Sequence, residues 1–295
     1  MQRQATRGML SRAVPGIASL AKHGLAGWLV VFGAVIVASI VIMTLLSPWI
    51  SPYDPSTKGI NVGEPLMPPN RRFPFGTNDL GQDMFSRVIS GGGIMLQVAL
   101  LSVLMCLAIG VPIGLFSPYI GGVVDRIICL VMDSIYAFPG LILAIAIAAM
   151  LGRGVTNMSL SIAVVYVPSY FRVIRSQVLS IKEMSYVEAA RSIGAKSRTI
   201  LFSYILPNVV SSIVVIATVN FADAILTAAG LTFIGLGVEV DVPDWGWDLT
   251  NGRRLLPSGA WWVIAFPGLL IILLALGFTF MGEGLSEILN PKLEE

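Results

Sequence analysis

The sequence predicts an all-α integral membrane fold of about six transmembrane helices, and three observations carry that reading. Of 295 residues, 55% are hydrophobic and only 12% are charged, with a mean hydropathy of +0.82. Apolar runs of about 20 residues recur along the chain, the length a helix needs to cross a bilayer. Basic residues gather in the segments that alternate spans would place on one side. In hydrocarbon each peptide group must find its partner within its own segment, so such runs are stable as helices.

The first run, 25–46, carries no charge. It starts late and lacks a small-residue cleavage site, so it reads as a retained span and not a signal peptide. The following extracytoplasmic loop, 47–93, holds Pro48, Pro52, Pro55, Pro65, Pro68, Pro69 and Pro74, which favours an extended, ordered surface segment. The second run, 94–116, has Gly110 and Gly114 four apart around Pro112, a spacing suited to close helix packing. The third, 124–151, is interrupted early by Asp125, Arg126 and Asp133, and the fourth, 158–171, is the weakest. The fifth, 206–236, encloses Asp223, and the last covers 261–280. Pro139, Pro168 and Pro267 are candidates to bend their spans, because proline removes a helix hydrogen bond.

Charge gives the orientation. The N-terminal arm, 1–24, has Arg3, Arg7, Arg12 and Lys22 and no acid, so it is expected in the cytoplasm. With six spans the stretch 172–203 lies on the same side, and it carries Arg172, Arg175, Lys182, Arg191, Lys196 and Arg198 against Glu183 and Glu188. The loop 237–259 falls outside, with Glu239, Asp241, Asp244 and Asp248 against Arg253 and Arg254. Trp245, Trp247, Trp261 and Trp262 in and beside it suit a membrane interface, either as anchors alone or also as a docking surface for an external protein.

The inventory excludes several functions. Lys and Arg number 19 against 17 acids, a net charge of +2, which offers nucleic acid no basic face. High hydropathy with low charge excludes a disordered chain. Cys106 and Cys129 lie in apolar runs and imply no disulfide framework. His23 is the single histidine, so neither a histidine-rich metal site nor a His-based catalytic set can form. No Gly-Lys dipeptide occurs, so there is no phosphate loop and the chain holds no ATPase of that class. Asp133 and Asp223 are the acids deepest in the spans. Such acids face protein or water, either lining a translocation path for a peptide amine or cation, or bonding to neighbouring helices.

The most informative stretch is 183–207, EMSYVEAARSIGAKSRTILFSYILP, a polar segment between two spans. Ala190 and Gly194 are four apart and would share a helix face, where small side chains let another protein approach the backbone. Glu188 supplies a charge beside that patch, and Leu206 and Pro207 open the next span. The arrangement Glu188-Ala189-Ala190, three residues, Gly194, then Leu206-Pro207 resembles the EAA signature of the membrane subunits of ATP-binding cassette importers, with Tyr204 where that signature has isoleucine.

Further motifs narrow the resemblance to the C-type permease of the dipeptide/oligopeptide/nickel importer family, and it covers nearly the whole chain. They are Phe75-Gly76-Thr77-Asn78 with Gly81-Gln82-Asp83 and Ser86-Arg87, Gly121-Gly122 with Asp125 and Arg126, and Asp133 with Phe138-Pro139. Leu231-Thr232-Phe233-Ile234-Gly235-Leu236-Gly237, Pro243-Asp244-Trp245-Gly246, and Gly282-Glu283-Gly284-Leu285 to Asn290-Pro291 complete the set. Asn78 and Gln82 stand where the family has Asp and Arg, and Gly91-Gly92-Gly93 lacks its arginine.

The resemblance implies a type I importer permease fold, with a core over 94–283, a coupling helix at about 183–196 and a cytoplasmic tail from 284 to 295. It implies a second homologous permease, two ATPase subunits that carry ATP and Mg, and an extracellular or periplasmic solute-binding protein. No cofactor is expected on this chain itself, and the setting is the prokaryotic inner membrane. Coupling would fall to Glu188, Ala189, Ala190, Gly194, Leu206 and Pro207. Short peptides are the expected solute, with nickel-chelates, glutathione and oligosaccharides as alternatives. A self-contained secondary transporter or channel is the competing class, against which stand the EAA spacing and the lack of an inverted repeat.

Overall fold

The computed structural model describes residues 24–55, 62–238 and 242–289. The N-terminal arm with His23, the segments 56–61 and 239–241, and the tail from 290 lie outside them. Among the described residues, nine helices of eight residues or more make up the fold. They are α1 (Gly24–Leu45), α2 (Met84–Ile120), α3 (Gly122–Tyr136), α4 (Gly140–Leu151), α5 (Val155–Lys182), α6 (Ser185–Ser192), α7 (Leu206–Phe233), α8 (Trp245–Leu255) and α9 (Trp262–Leu289). Among the described residues the only strand-like pairing is one isolated bridge, Thr77 with Asp83.

Four helices are long and apolar enough to cross a membrane: Gly24–Leu45, Met84–Ile120, Ser197–Phe233 and Trp262–Leu289. The expected third span is not one helix. It breaks into α3 and α4, bent by 90°, and counts as a fifth span if the pair is taken together. Pro139 explains the break, since it disfavours helical backbone at Phe138, and its own ψ of 120° leaves the helical region. By contrast Pro112, Pro118, Pro168 and Pro267 lie inside uninterrupted helices. The expected fourth span lies within α5, whose 28 residues reach ~42 Å at 1.5 Å per residue. Its serines, tyrosines, Arg172 and Arg175 keep it below the apolarity of the other four, so length and apolarity alone mark four spans among the described residues, or five with the bent pair, against the six expected.

Close helix contacts are made through glycine. A Cβ on Gly110 would lie 2.6 Å from Tyr170 Cβ, and one on Gly114 would lie 2.9 Å from Ile174 Cβ. The expected packing face is therefore real, and it joins α2 to α5. Gly33 of α1 abuts the Gly277 carbonyl of α9 in the same way, and Gly284 abuts the Ala26 carbonyl. Between helices in lipid the hydrophobic effect contributes little, so this backbone approach supplies the van der Waals contact.

The bundle has two polar ends. At the α6 end, Asp125 takes two bonds from Arg175, at 3.0 and 2.6 Å, and one from Ser117 Oγ at 2.6 Å. At the other end the loop after α1 and helix α8 form a cap. Residues 84–93, read above as loop, are the first ten residues of α2: Asp83 caps them, accepting from Ser86 N at 2.9 Å. Arg87 is buried there and donates through Nε and NH2 to Asp248 Oδ1 at 3.0 and 2.8 Å, and through NH1 to Gln82 at 3.1 Å.

The tryptophans correct another expectation. Trp245 is fully buried and donates to Val88 O at 2.6 Å, and Trp262 is buried and donates to Thr77 O at 2.9 Å. They hold the cap together, because each buried indole N–H finds a carbonyl. Of the four tryptophans in and beside the loop 237–259, only Trp261 is largely exposed.

Arg87→Met should destabilise the protein by about 3–5 kcal/mol, because it leaves the Asp248 carboxylate buried without its partner. Arg87→Met/Asp248→Leu should recover most of that loss. Thermal unfolding of wild type and both variants in one detergent checks the pair.

Candidate functional site

The segment with the EAA-like spacing folds as a short helix, a tight turn and a widened helical turn. Helix α6 begins after Met184 and ends at Ser192. Its last turn closes with Gly194 N donating to Arg191 O and Ala195 N to Ala190 O, both at 3.0 Å. This Schellman closure requires a residue at positive φ, and Gly194 has φ +83°. The glycine is thus demanded by the turn as well as by access. A Cβ there would meet nothing within 4 Å, so the space beside it is open.

Glu188, Ala189 and Gly194 are all exposed, and Ile193 between them is 84% exposed. Ala190 differs from expectation. It is buried, and it does not share a face with Gly194, because the helix stops before Gly194 is reached. Ala190 and Val187 are the inward residues of α6. Val187 belongs to a core cluster with Val178, Ile181, Ile200, Leu201, Ile205 and Val209, which joins α6 to α5 and α7. The outward patch is therefore Glu188, Ala189, Ile193 and Gly194, on a helix fixed from behind.

Residues Ile200–Ile205 form a π-helical turn leading into α7. Pro207 lies in the first turn of α7 and offers no N–H to the carbonyl four residues earlier, so a wider turn suits the chain there. Leu206 and Pro207 are both half-buried. Tyr204 stacks on Tyr186 of α6 with ring centroids 6.5 Å apart. Asn208 Nδ2 donates to Tyr204 O at 2.6 Å and to Tyr186 Oη at 3.3 Å. The tyrosine in the isoleucine position thus ties α6 to the start of α7, a link that the sequence alone did not signal.

The two intramembrane acids are not brought together. Asp133 accepts from Arg172 NH2 at 2.7 Å, and the Arg172 guanidinium lies 3.9 Å above the Tyr136 ring. Both members of the pair are exposed in this chain. Asp223 is half-buried on α7 with no hydrogen bond to another described residue. One turn on, Thr227 Oγ1 lies 2.9 Å from Tyr166 Oη. Nearby side-chain atoms, Tyr170 Oη and Asn220 Oδ1, are buried without a partner among the described residues. Among the described residues no group of three metal-ligating side chains occurs.

The structure is thus a helical membrane bundle with one exposed polar turn held from behind by buried residues. The chain belongs to the family described as binding-protein-dependent transport system inner membrane component, which matches residues 110–295. Residues 28–69 match the N-terminal transmembrane domain of oligopeptide transport permease C. It is accordingly a permease subunit of a binding-protein-dependent importer.

Among its relatives, the dipeptide transport system permease protein DppC of Alkalihalophilus pseudofirmus is 38% identical, over 90% of this chain and 86% of the relative. The di/tripeptide transport system permease protein DppC of Pseudomonas aeruginosa is 39% identical, over 89% and 88%. The glutathione transport system permease protein GsiD of Escherichia coli is 37% identical, over 88% and 86%.

Proposed function

We propose that this chain forms half of a translocation path for short peptides and is driven through α6 by separate ATPase subunits. The reading is supported by an exposed turn, Glu188 to Gly194, held from behind by Val187 and Ala190 and tied to α7 through Tyr204 and Asn208. A rigid attachment is what force transfer requires: a displacement of α6 is passed to α5 and α7 and is not lost in a flexible loop. Leu206 and Pro207, with the π turn before them, would be where that displacement enters the spanning helix.

The proposed complex contains a second permease of similar fold, two ATPase subunits holding ATP and Mg, and an external solute-binding protein. The chain itself makes and breaks no covalent bond. The N-terminus and α6 would face the cytoplasm, in keeping with the basic residues of 172–203. The proposed organisation is an arm over 1–24, a span at 25–46, a permease core over 94–283 and a tail from 284. Transport would proceed by alternating access, with ATP binding favouring the outward-open state. Peptides are preferred as the solute because relatives named for dipeptide and di/tripeptide transport match over most of their length; glutathione, itself a tripeptide, is the nearest alternative.

Asp223 is the favoured path residue, because its carboxylate is half-buried and has no hydrogen-bond partner among the described residues, which would leave it for a peptide amine. Asp133 is the weaker candidate, since Arg172 already holds it.

The test is uptake of labelled dipeptide into proteoliposomes holding the full complex and its binding protein. Uptake should require ATP, and ATP-independent uptake would refute the reading. In that assay Gly194→Trp should lower transport at least about tenfold while ATPase activity persists, because the turn needs positive φ and the docking face needs a small side chain. Unchanged transport would remove the turn from the coupling role. Asp223→Asn should reduce uptake more than Asp133→Asn does, at equal complex abundance. Wild-type rates in both would exclude these acids from the path.

A further inference from the structure

At the end of the bundle opposite α6, a cavity of about 440 Å³ opens between the ends of α4 and α7 and the side of α8. Its lining includes Arg153, Arg253 and Arg254, together with Phe233, Trp247 and Thr250, and no carboxylate lines it. All three arginines are exposed. None makes an ion pair with another described residue, and Arg253 lies 4.8 Å over the Phe233 ring. The acids of α8 and its cap do not neutralise them. Asp248 is committed to Arg87, and Asp244 is buried and caps α8 by accepting from Gly246 N at 3.3 Å. Burial pushes the Asp244 carboxyl up to about 6. The charges that α8 shows to the cavity are therefore only positive.

Three guanidinium groups with no ion-pair partner among the described residues cannot rest in hydrocarbon, so the cavity faces water. A guanidinium presents paired donors that match the two oxygens of a carboxylate. The volume falls within the range of small-ligand sites, and Trp247 and Phe233 give an aromatic wall beside the charge. Resting on the permease reading above, we propose that this cavity receives the terminal carboxylate of the solute as it passes from the binding protein into the path. It is an entry site for an anionic end, at the opposite end of the molecule from the coupling turn.

The experiment uses the full complex in phosphatidylcholine nanodiscs without its binding protein, so that the binding protein's own preference does not enter. The probes are radiolabelled alanylphenylalanine and its C-terminal amide. The free acid should bind at least about tenfold more tightly than the amide, the scale of a charge-assisted contact. Arg153→Gln/Arg253→Gln/Arg254→Gln should bring the two within about twofold, with assembly and basal ATPase activity unchanged.

Equal binding of acid and amide, no binding of either, or a preference that survives in the variant would overturn the proposal. Displacement of the acid by inorganic phosphate at lower concentration than by unlabelled acid would assign the cavity to phosphate groups instead. Binding that appears only in Glu239→Gln/Asp241→Asn would assign it to this chain's own acidic loop. In a parallel titration with the binding protein added back, a variant that only raises the binding-protein concentration needed to stimulate ATPase, alike for acid and amide, would overturn the proposal and make the arginines a docking contact. A complex that imports peptide yet shows no acid preference sinks the cavity alone; one that prefers the acid yet imports nothing sinks the transport reading alone.

Discussion

Close helix approach without large side chains is the condition on which this structure depends. In a bilayer, lipid tails solvate apolar side chains as well as neighbouring helices do, so burying leucine against leucine gives little net association. What remains is contact between backbones at van der Waals distance. Gly110 and Gly114 provide it between α2 and α5, and Gly33, Gly277 and Gly284 provide it between α1 and α9. Where such contacts exist, a helix moves with its neighbour as one body. That property lets a push on one end of α5 or α7 reach the other end.

The polar groups are sorted by the same constraint. Hydrocarbon rejects unpaired charge, and each strong ion pair lies toward an end of the bundle or on its exposed side. Arg87 and Asp248 lock the cap around α8, while Arg175, Asp125 and Ser117 lock α5 to α2 and α3 at the α6 end. Between them lies a sparse polar zone with Asp223, Thr227 and Tyr166 on facing helices, and with Tyr170 Oη and Asn220 Oδ1 lacking partners among the described residues. A bundle whose purpose was only to be stable would have filled those positions with apolar residues. In the proposed function, a path for polar solutes needs polar groups left free, and a second permease would supply the other half of the wall.

Much of this was legible in the sequence, and the rest was hidden for identifiable reasons. The uncharged run 25–46 became α1 with its bounds moved by one residue, and the fifth run became α7. The ends of α2 and α5 were lost because residues such as Arg87 and Arg175 look like solvent-facing loop until their distant partners are known. The break at Pro139 was visible only as a possible bend. The EAA-like spacing located α6, and the backbone requirement at Gly194 follows from the turn that ends it. Periodicity placed Ala190 beside Gly194 by extending the helix beyond its real end, so the inward role of Ala190 was missed. Tryptophans taken for interface anchors proved to be the interior of the cap, because composition cannot tell a wet indole from one bonded to a buried carbonyl.

The central claim is that the exposed turn of α6 lies in the cytoplasm against an ATPase subunit. A single cysteine at Ile193→Cys, in a chain with Cys106 and Cys129 replaced, tests it most directly. The account predicts a disulfide or short cross-link to the ATPase subunit in the assembled complex, and no labelling by a membrane-impermeant maleimide added outside intact cells. Labelling from outside, or no cross-link in a complex that hydrolyses ATP and transports normally, would contradict it.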